Sequence, residues 1–202
     1  MVLNDGKKLS SKKNHKEALQ DVILEEQGYI CAYCNRRIHK SNPEDDEQLR
    51  MDHIDSKDRY PNKTFDYYNL IGCCYGDQRE KGRISPPRSI HCDVSKDSKD
   101  IPHEIFPTNL SCEQVLIYSS EGEISSKNSA VNSAINTVLN LNCEKLIYDR
   151  KKILRDYVDI DIAQGEAEQL VVYYLTLSSE KEFMPYCGVI IGYLRQNYIL
   201  NL

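Results

Sequence analysis

The sequence lacks tryptophan, contains only 3 Phe and shows no internal repeat. It has no run approaching the roughly 18 apolar residues of a membrane-spanning helix, which excludes a transmembrane protein. The beginning of the chain is rich in lysine and has no apolar stretch, so it is unlike a secretion signal. We therefore expect a globular cytoplasmic protein with no membrane partner.

A net positive charge is also missing, since 26 Lys and Arg are outnumbered by 31 Asp and Glu. Polyanions usually bind basic surfaces, so the net charge of −5 argues at first sight against nucleic acid. The two halves differ, however. Residues 111–202 hold 8 basic against 12 acidic side chains, and residues 1–110 hold 18 against 19. The first half is thus almost neutral and can still contain a nucleic-acid site.

With 202 residues, the chain is long enough for one large domain, or for a small domain with a helical extension. Its composition, 40% apolar and 28% charged, lies in the globular range. The chain also contains 8 Cys. In a reducing compartment, clustered cysteines indicate metal ligands or catalytic groups before they indicate disulfides.

The pattern along the chain predicts an α+β protein with two parts that follow a flexible basic arm at 1–14. Residues 15–105 form the first part, which starts with a helix from His15 to Gln27 that ends at Gly28. Residues 106–202 form the second part, which is α-helical. Its helices are predicted where apolar residues recur about every 3.6 residues, at 130–141, 146–158, 163–175 and 190–198.

A pair of cysteines, Cys31 and Cys34, has the spacing at which one tight turn presents two thiolates to a zinc ion. For an isolated pair, the alternatives are a redox dithiol and two incidental cysteines. Two thiolates from Cys73, Cys74 and Cys92 would complete a closed tetrahedral site. Such a structural zinc ion would stabilise a first part that has few large apolar side chains.

Between the two cysteine groups lie Asp52 and His53, at the end of a short predicted strand. A carboxylate beside an imidazole, facing a second carboxylate such as Asp93, is what hydrolysis of a phosphodiester with one hard cation requires. Asp52 and Asp93 would hold Mg²⁺ or Mn²⁺. Because neighbouring strand residues point to opposite faces, His53 reaches a water molecule only if the backbone bends. The Asn69 amide is suited to fixing that bend.

These residues occur in an order that resembles a known family, the HNH endonucleases with the ββα-metal fold. The resemblance is strongest to the retron-associated or Septu-type branch called PtuB-like. The similar segments are CAYC at 31–34, DHIDSKDRYP at 52–61, NLIGCCYGDQRE at 69–80, HCDVSKDSKD at 91–100 and LNLNCEKLIYDR at 139–150. Together they cover most of 20–155, and they imply a zinc-stapled ββα-metal HNH core followed by an α-helical part.

The resemblance implies a role for each residue of this group. His53 matches the general base that activates the attacking water, and Asp52 matches the metal ligand before it. Asn69 matches the central asparagine that braces the loop. Asp93 stands where the family usually has Asn or His as its last metal ligand, and its additional charge favours a hard cation. The implied zinc ligands are Cys31, Cys34, Cys74 and Cys92, with Cys73 or His91 as possible replacements.

The chain departs from generic HNH modules in the 17 residues between Cys74 and Cys92, an insertion that the PtuB-like branch shares. Arg79 and Arg83 in this insertion are predicted to contact substrate phosphates, with a solvated loop as the alternative. Lys96, in the helix predicted after the insertion, is expected to contact the scissile or a flanking phosphate. A solvated lysine is the alternative there.

These assignments predict a metal-dependent endonuclease that hydrolyses phosphodiester bonds, with DNA favoured as its substrate. The resemblance also implies a bacterial anti-phage system in which the nuclease acts with an ABC-type P-loop ATPase. The acidic second part is the expected docking surface for that partner. Two alternatives stay open: a non-catalytic zinc-knuckle module that binds nucleic acid or the ATPase, and a nuclease on the same scaffold that cuts RNA.

Overall fold

The computed structural model describes residues 12–40, 48–77, 79–80, 83–84 and 89–199. The fold is a mixture of helices and small two-stranded sheets, which confirms the predicted α+β class. Most of the predicted basic arm and part of the insertion between Cys74 and Cys92 lie outside the described residues.

Helix α1 spans Lys12–Glu26 and buries Ile23 and Leu24 on its inner face. The helix is followed by Gly28 at φ +55°, a left-handed conformation that glycine adopts at little cost, as predicted for its end. An antiparallel bridge between Ile30 and Arg37 then closes the tight turn that carries the first two cysteines.

Strand β1 (Arg50–His53) pairs in antiparallel fashion with strand β2 (Leu70–Cys73). Arg50 lies opposite Cys73, and His53 lies opposite Leu70, so the two strands share their full length. The short strands β3 (Arg79–Glu80) and β4 (Arg83–Ile84) form a hairpin inside the insertion. Helix α2 (Cys92–Lys96) follows, so that β1 carries Asp52 and His53 and α2 carries Asp93.

The second part begins with a hairpin that the sequence did not predict, β5 (Ile117–Tyr118) with β6 (Ile124–Ser125). Four helical segments follow, which confirms the four that the apolar period predicted. They are α3 (Ser129–Ser133) with a π-helical turn over Ala134–Val138, α4 (Glu144–Leu154), α5 (Gln164–Tyr174), and α6 (Cys187–Leu194) with a π-helical turn over Arg195–Ile199. Among the described helices, none combines the length and apolar character needed to cross a bilayer.

One hydrophobic cluster joins the two predicted parts. It includes Leu24 and Ile71 from the first part and Ile135, Leu139 and Leu146 from the second, all of them buried. A second cluster lies between α5 and α6. The two parts bury apolar surface against each other. The division of the chain near residue 105 therefore stays a prediction about which part carries which function.

Candidate active site

Four cysteines meet in the interior, and they are the four that the resemblance implied as zinc ligands. The Sγ atoms of Cys31, Cys34, Cys74 and Cys92 all lie within 4.8 Å of one another, and all four residues are buried. The Sγ atoms of Cys31 and Cys92 are 3.9 Å apart, and those of Cys34 and Cys74 are 3.7 Å apart. In a tetrahedral site with zinc–sulfur bonds of about 2.3 Å, the sulfurs are about 3.8 Å apart. The four thiols therefore fit a structural zinc ion.

These ligands come from three elements that the local backbone brings together. Cys31 and Cys34 lie on a tight turn in which the Asn35 amide donates to the Cys31 carbonyl over 3.0 Å. Cys74 directly follows β2, and Cys92 begins α2 in a left-handed conformation with φ +56°. Because a cysteine rarely adopts that conformation, the strain at Cys92 indicates that its side-chain direction is fixed by the site.

The thiol cluster requires a cation if all four groups are ionised. Burial raises the pKa of the Cys34 and Cys92 thiols well above the ordinary value, and the Cys31 and Cys74 thiols raise it further. The Arg36 guanidinium lies close to Cys34 and pairs with the buried Asp77 carboxylate over 2.9 Å. One arginine cannot offset four thiolates, so a bound dication is the group that suits them.

The two proposed replacement ligands, Cys73 and His91, lie beside the cluster. Cys73 is buried in β2. His91 Nδ1 donates to the Ser89 carbonyl over 2.9 Å, because a carbonyl can only accept, and its Nε2 lies 3.7 Å from Cys74 Sγ. This is the usual placement of a residue that supports a metal ligand.

A second group of charged residues lies at the strand ends. Asp52 on β1 and Asp93 on α2 are both buried, and their carboxyl groups interact electrostatically. They line a cavity of about 360 Å³ together with His53. Burial and the negative charge of Asp93 together raise the pKa of Asp52 to about 6, although the positive charge of Lys96 acts in the opposite direction. Two adjacent carboxylates in an open cavity fit a hard cation such as Mg²⁺ or Mn²⁺.

Three side chains hold these carboxylates in place. The Tyr33 hydroxyl donates to Asp52 Oδ2 over 2.8 Å, and Arg50 Nε donates to Asp93 Oδ2 over 2.7 Å. Lys96 Nζ lies 3.3 Å from Asp52 Oδ2 and donates to the His53 carbonyl over 2.8 Å. Lys96 is fully buried, which differs from the predicted contact with a substrate phosphate. Its ammonium instead links the backbone of His53 to the side chain of Asp52.

His53 is half-buried, and its ring orientation is set by the loop that follows β1. The Nε2 atom lies 3.0 Å from the Thr64 carbonyl oxygen, which can only accept, so Nε2 carries the proton. In the neutral ring, Nδ1 is then the nitrogen able to accept a proton. A backbone carbonyl thus selects the tautomer that a general base requires.

Asn69 braces this loop in the way that the sequence predicted. Its Oδ1 accepts from the Asp55 amide over 2.8 Å, and its Nδ2 donates to the carbonyls of Asp55 and Lys63 over 3.0 and 3.2 Å. The chain therefore turns directly after β1. Asp52 and His53 both line the same cavity, although they are neighbours on a strand.

The predicted phosphate contacts of the insertion are not tested by the structure. Arg79 and Arg83 lie on β3 and β4, whose backbones pair. Their side chains lie outside the described part of the chain, so their contact with substrate stays a prediction.

Two residues of the site were missed by the sequence analysis, Tyr33 and Arg50. Tyr33 lies between the two cysteines of the tight turn, where the sequence analysis considered only the thiols. Arg50 precedes Asp52 by two residues, and the alternation of strand side chains places both on one face. That spacing is the signal from which a charged neighbour of the carboxylates could have been found.

Comparison with known proteins supports the resemblance at low identity. The chain is 21% identical over 182 residues to a protein of Escherichia coli that carries the provisional name retron Ec83 HNH endonuclease. The similarity covers 70% of this chain and 68% of that protein. No family model matches the sequence. The name of this relative agrees with the HNH resemblance predicted from the motifs, and the PtuB-like branch stays a prediction.

Proposed function

We propose that the chain is a metal-dependent HNH endonuclease that hydrolyses phosphodiester bonds of nucleic acid, with DNA as the favoured substrate. The observation that carries the proposal is the single cavity lined by Asp52, Asp93 and His53. The proposal is further supported by the similarity to a protein named as an HNH endonuclease.

In this proposal Asp52 and Asp93 bind the cation, and His53 acts as general base. His53 Nδ1 takes a proton from a water molecule, whose oxygen attacks the phosphorus as the bond to the 3′ oxygen breaks. The leaving 3′ oxygen then takes a proton from solvent. A bound Mg²⁺ or Mn²⁺ would supply positive charge for the negative charge that develops on the phosphate and the leaving oxygen. Lys96 and Asn69 keep His53 and Asp52 in their relative positions.

The four cysteines would bind zinc with a structural role. Zinc held by Cys31, Cys34, Cys74 and Cys92 would fasten the tight turn, the end of β2 and the beginning of α2 to one point. Because Cys92 precedes Asp93, the same ion would also fix the position of one carboxylate.

The test compares the full-length chain with two variants on supercoiled plasmid DNA and on structured RNA. With Mn²⁺ or Mg²⁺, the wild-type chain should nick or linearise the plasmid, and chelation of the cation should stop the reaction. The cleavage rate of His53→Ala should be lower than that of the wild type by about a hundredfold or more, while its circular dichroism spectrum should be unchanged. The exposed His15 supplies the matched control, since His15→Ala removes an imidazole from α1.

Each result separates the proposal from its alternatives. Cleavage of RNA but not DNA would keep the chemistry and change the substrate. Binding without cleavage of either would favour the non-catalytic module. Retained cleavage by His53→Ala would contradict the role of His53 as base.

We further propose that the nuclease acts in a bacterial anti-phage system with an ABC-type ATPase that docks on the second part. This rests on the PtuB-like resemblance, and the excess of acidic residues over 111–202 supports it. Large apolar side chains on α5 are also exposed, with Val172 at 64% and Tyr173 at 61%.

If the neighbouring gene encodes a P-loop ATPase, the two proteins should purify together when they are expressed together. Replacing both Val172 and Tyr173 by glutamate should abolish that association. Leu110→Glu, at a side chain that is 99% exposed, is the control and should leave it intact. If the wild type, the double variant and Leu110→Glu recovered the same amount of ATPase, the proposal that the ATPase docks on this surface would be contradicted.

A further inference from the structure

Tyr33 connects the thiol cluster to the carboxylate site. It lies between two of the four clustered cysteines, Cys31 and Cys34, and its ring is buried. Its hydroxyl donates to Asp52 Oδ2 over 2.8 Å. Among the described residues, the turn that carries two thiols thus also supplies a direct hydrogen bond to one of the paired carboxylates.

We infer that Tyr33 is a positioning residue that holds Asp52 in the orientation in which it binds the hard cation. The inference rests on the proposed function in taking Asp52 as a cation ligand. A phenylalanine ring at this position would fill the same space as the ring of Tyr33. The specific role of Tyr33 therefore belongs to its hydroxyl.

The turn around Tyr33 is anchored to the sheet, which fixes the position of the hydroxyl. The Cys31 amide donates to the Arg36 carbonyl over 2.7 Å, and the Ala32 amide donates to the Gly72 carbonyl of β2 over 3.0 Å. Asp52 on β1 lies opposite the residue before Gly72 in the same pair of strands. The donor and the carboxylate are therefore held by one continuous backbone network.

The hydrogen bond leaves Asp52 able to bind a cation. An ionised carboxylate offers about four acceptor positions. The Tyr33 hydroxyl uses one on Oδ2, and Lys96 Nζ lies within 3.4 Å of Oδ1. Lys96 Nζ also lies 3.3 Å from Oδ2, so the remaining acceptor position is on Oδ1. Tyr33 can therefore orient the carboxylate through Oδ2 while Oδ1 binds the cation. Partners of this kind typically contribute about 10- to 100-fold to metal affinity.

The experiment is a Mn²⁺ titration of full-length, zinc-loaded protein, followed by electron paramagnetic resonance without nucleic acid. Tyr33→Phe should keep the zinc content and the melting temperature of the wild type but bind Mn²⁺ about tenfold more weakly. Tyr186→Phe is the matched control, because Tyr186 is also buried and its hydroxyl donates to a carboxylate, Asp149, over 3.0 Å. That control should bind Mn²⁺ as the wild type does.

In the nuclease assay, Tyr33→Phe should raise the half-saturating Mn²⁺ concentration about tenfold, with kcat at saturating Mn²⁺ within about threefold of the wild type. Unchanged Mn²⁺ affinity in Tyr33→Phe would overturn the inference, and so would an equal loss in Tyr186→Phe. Loss of zinc from Tyr33→Phe would also overturn it, because the hydroxyl would then belong to the zinc fold. If no nucleic acid is cut by any variant, the proposed function fails, and the Mn²⁺ titration still decides the role of Tyr33.

Discussion

Arg50 Nε lies 2.7 Å from Asp93 Oδ2, and this ion pair joins strand β1 to helix α2 at the rim of the proposed cation site. The guanidinium also lies over the ring of Tyr75, 5.3 Å from its centroid. The resemblance leads one to expect Asn or His at position 93, whereas this chain has a carboxylate. Arg50 offsets that additional negative charge, so the departure at position 93 has a partner on the neighbouring element.

The first prediction concerns this ion pair. Arg50→Met should lower the melting temperature of the cation-free protein by roughly 1–4 °C, since a pair with one partly exposed partner contributes about 0.5–1 kcal/mol. Without Arg50, the repulsion between Asp52 and Asp93 is less compensated, so added Mn²⁺ should stabilise the variant more than the wild type. Thermal melts with and without Mn²⁺ measure both effects.

Arg59→Met is the control for this prediction. Arg59 also pairs with an aspartate, Asp100, but both side chains are largely exposed. Its substitution should change the melting temperature little, and Mn²⁺ should stabilise it as it does the wild type. An equal response to Mn²⁺ in Arg50→Met and the wild type would contradict the proposed compensation.

The second prediction follows from the pKa of Asp52, which burial and the charge of Asp93 raise to about 6. Below that pH the carboxyl binds a proton, which a cation must displace. The affinity for Mn²⁺ should therefore be nearly constant above about pH 7 and fall about tenfold per pH unit below about pH 6. Mn²⁺ titrations at several pH values measure this slope.

The same raised pKa has a consequence for the stability of the cation-free protein. Because the folded chain binds this proton more tightly than the unfolded chain, the contribution of Asp52 to stability decreases as pH rises from about 4 to about 6. Asp52→Asn has no proton to lose and should not show that dependence.

A Mn²⁺ affinity that stays constant down to pH 5 in the wild type would contradict the assignment of Asp52 as a ligand.

The third prediction concerns the thiol cluster. Cys34→Ser removes one of the four proposed ligands, so the purified variant should contain little zinc and melt roughly 10 °C or more below the wild type. Elemental analysis and thermal melts measure the two effects. Cys112→Ser is the control, since Cys112 is half-buried and outside the cluster, and it should keep its zinc. Full zinc content in Cys34→Ser would contradict the four-thiol site.

The sequence predicted those parts of the site that depend on spacing along the chain. Two cysteines on one tight turn approach each other whatever the rest of the fold does, so Cys31 and Cys34 were identifiable directly. The brace by Asn69 was also predictable, because short amide side chains usually bond to nearby backbone groups. The helices of the second part followed from their apolar period, because each buries one face.

The partners of long charged side chains were not predictable in the same way. Lys96 was expected at a phosphate, but its side chain reaches inward to the His53 carbonyl, a contact that depends on how α2 packs against β1. Arg50 meets Asp93 for the same reason. The β5–β6 hairpin was missed because strands of two residues are too short to show an alternating pattern.

The fourth prediction concerns Gly76, which allows the chain to bring Cys74 and Cys92 together. Gly76 has φ +58°, and a Cβ atom there would lie 2.1 Å from the His91 carbonyl oxygen. Gly76→Ala should therefore push apart the two segments that carry these thiols and lower the melting temperature by roughly 5–10 °C. The variant should also lose zinc to a chelator faster than the wild type does. Gly165→Ala is the control, because a Cβ at that helical position would meet no atom within 4 Å apart from its chain neighbours and the backbone of its own helix, and it should be as stable as the wild type or slightly more so. If Gly76→Ala retained zinc and stability as Gly165→Ala does, the close approach at His91 would not be what holds the two ligands together.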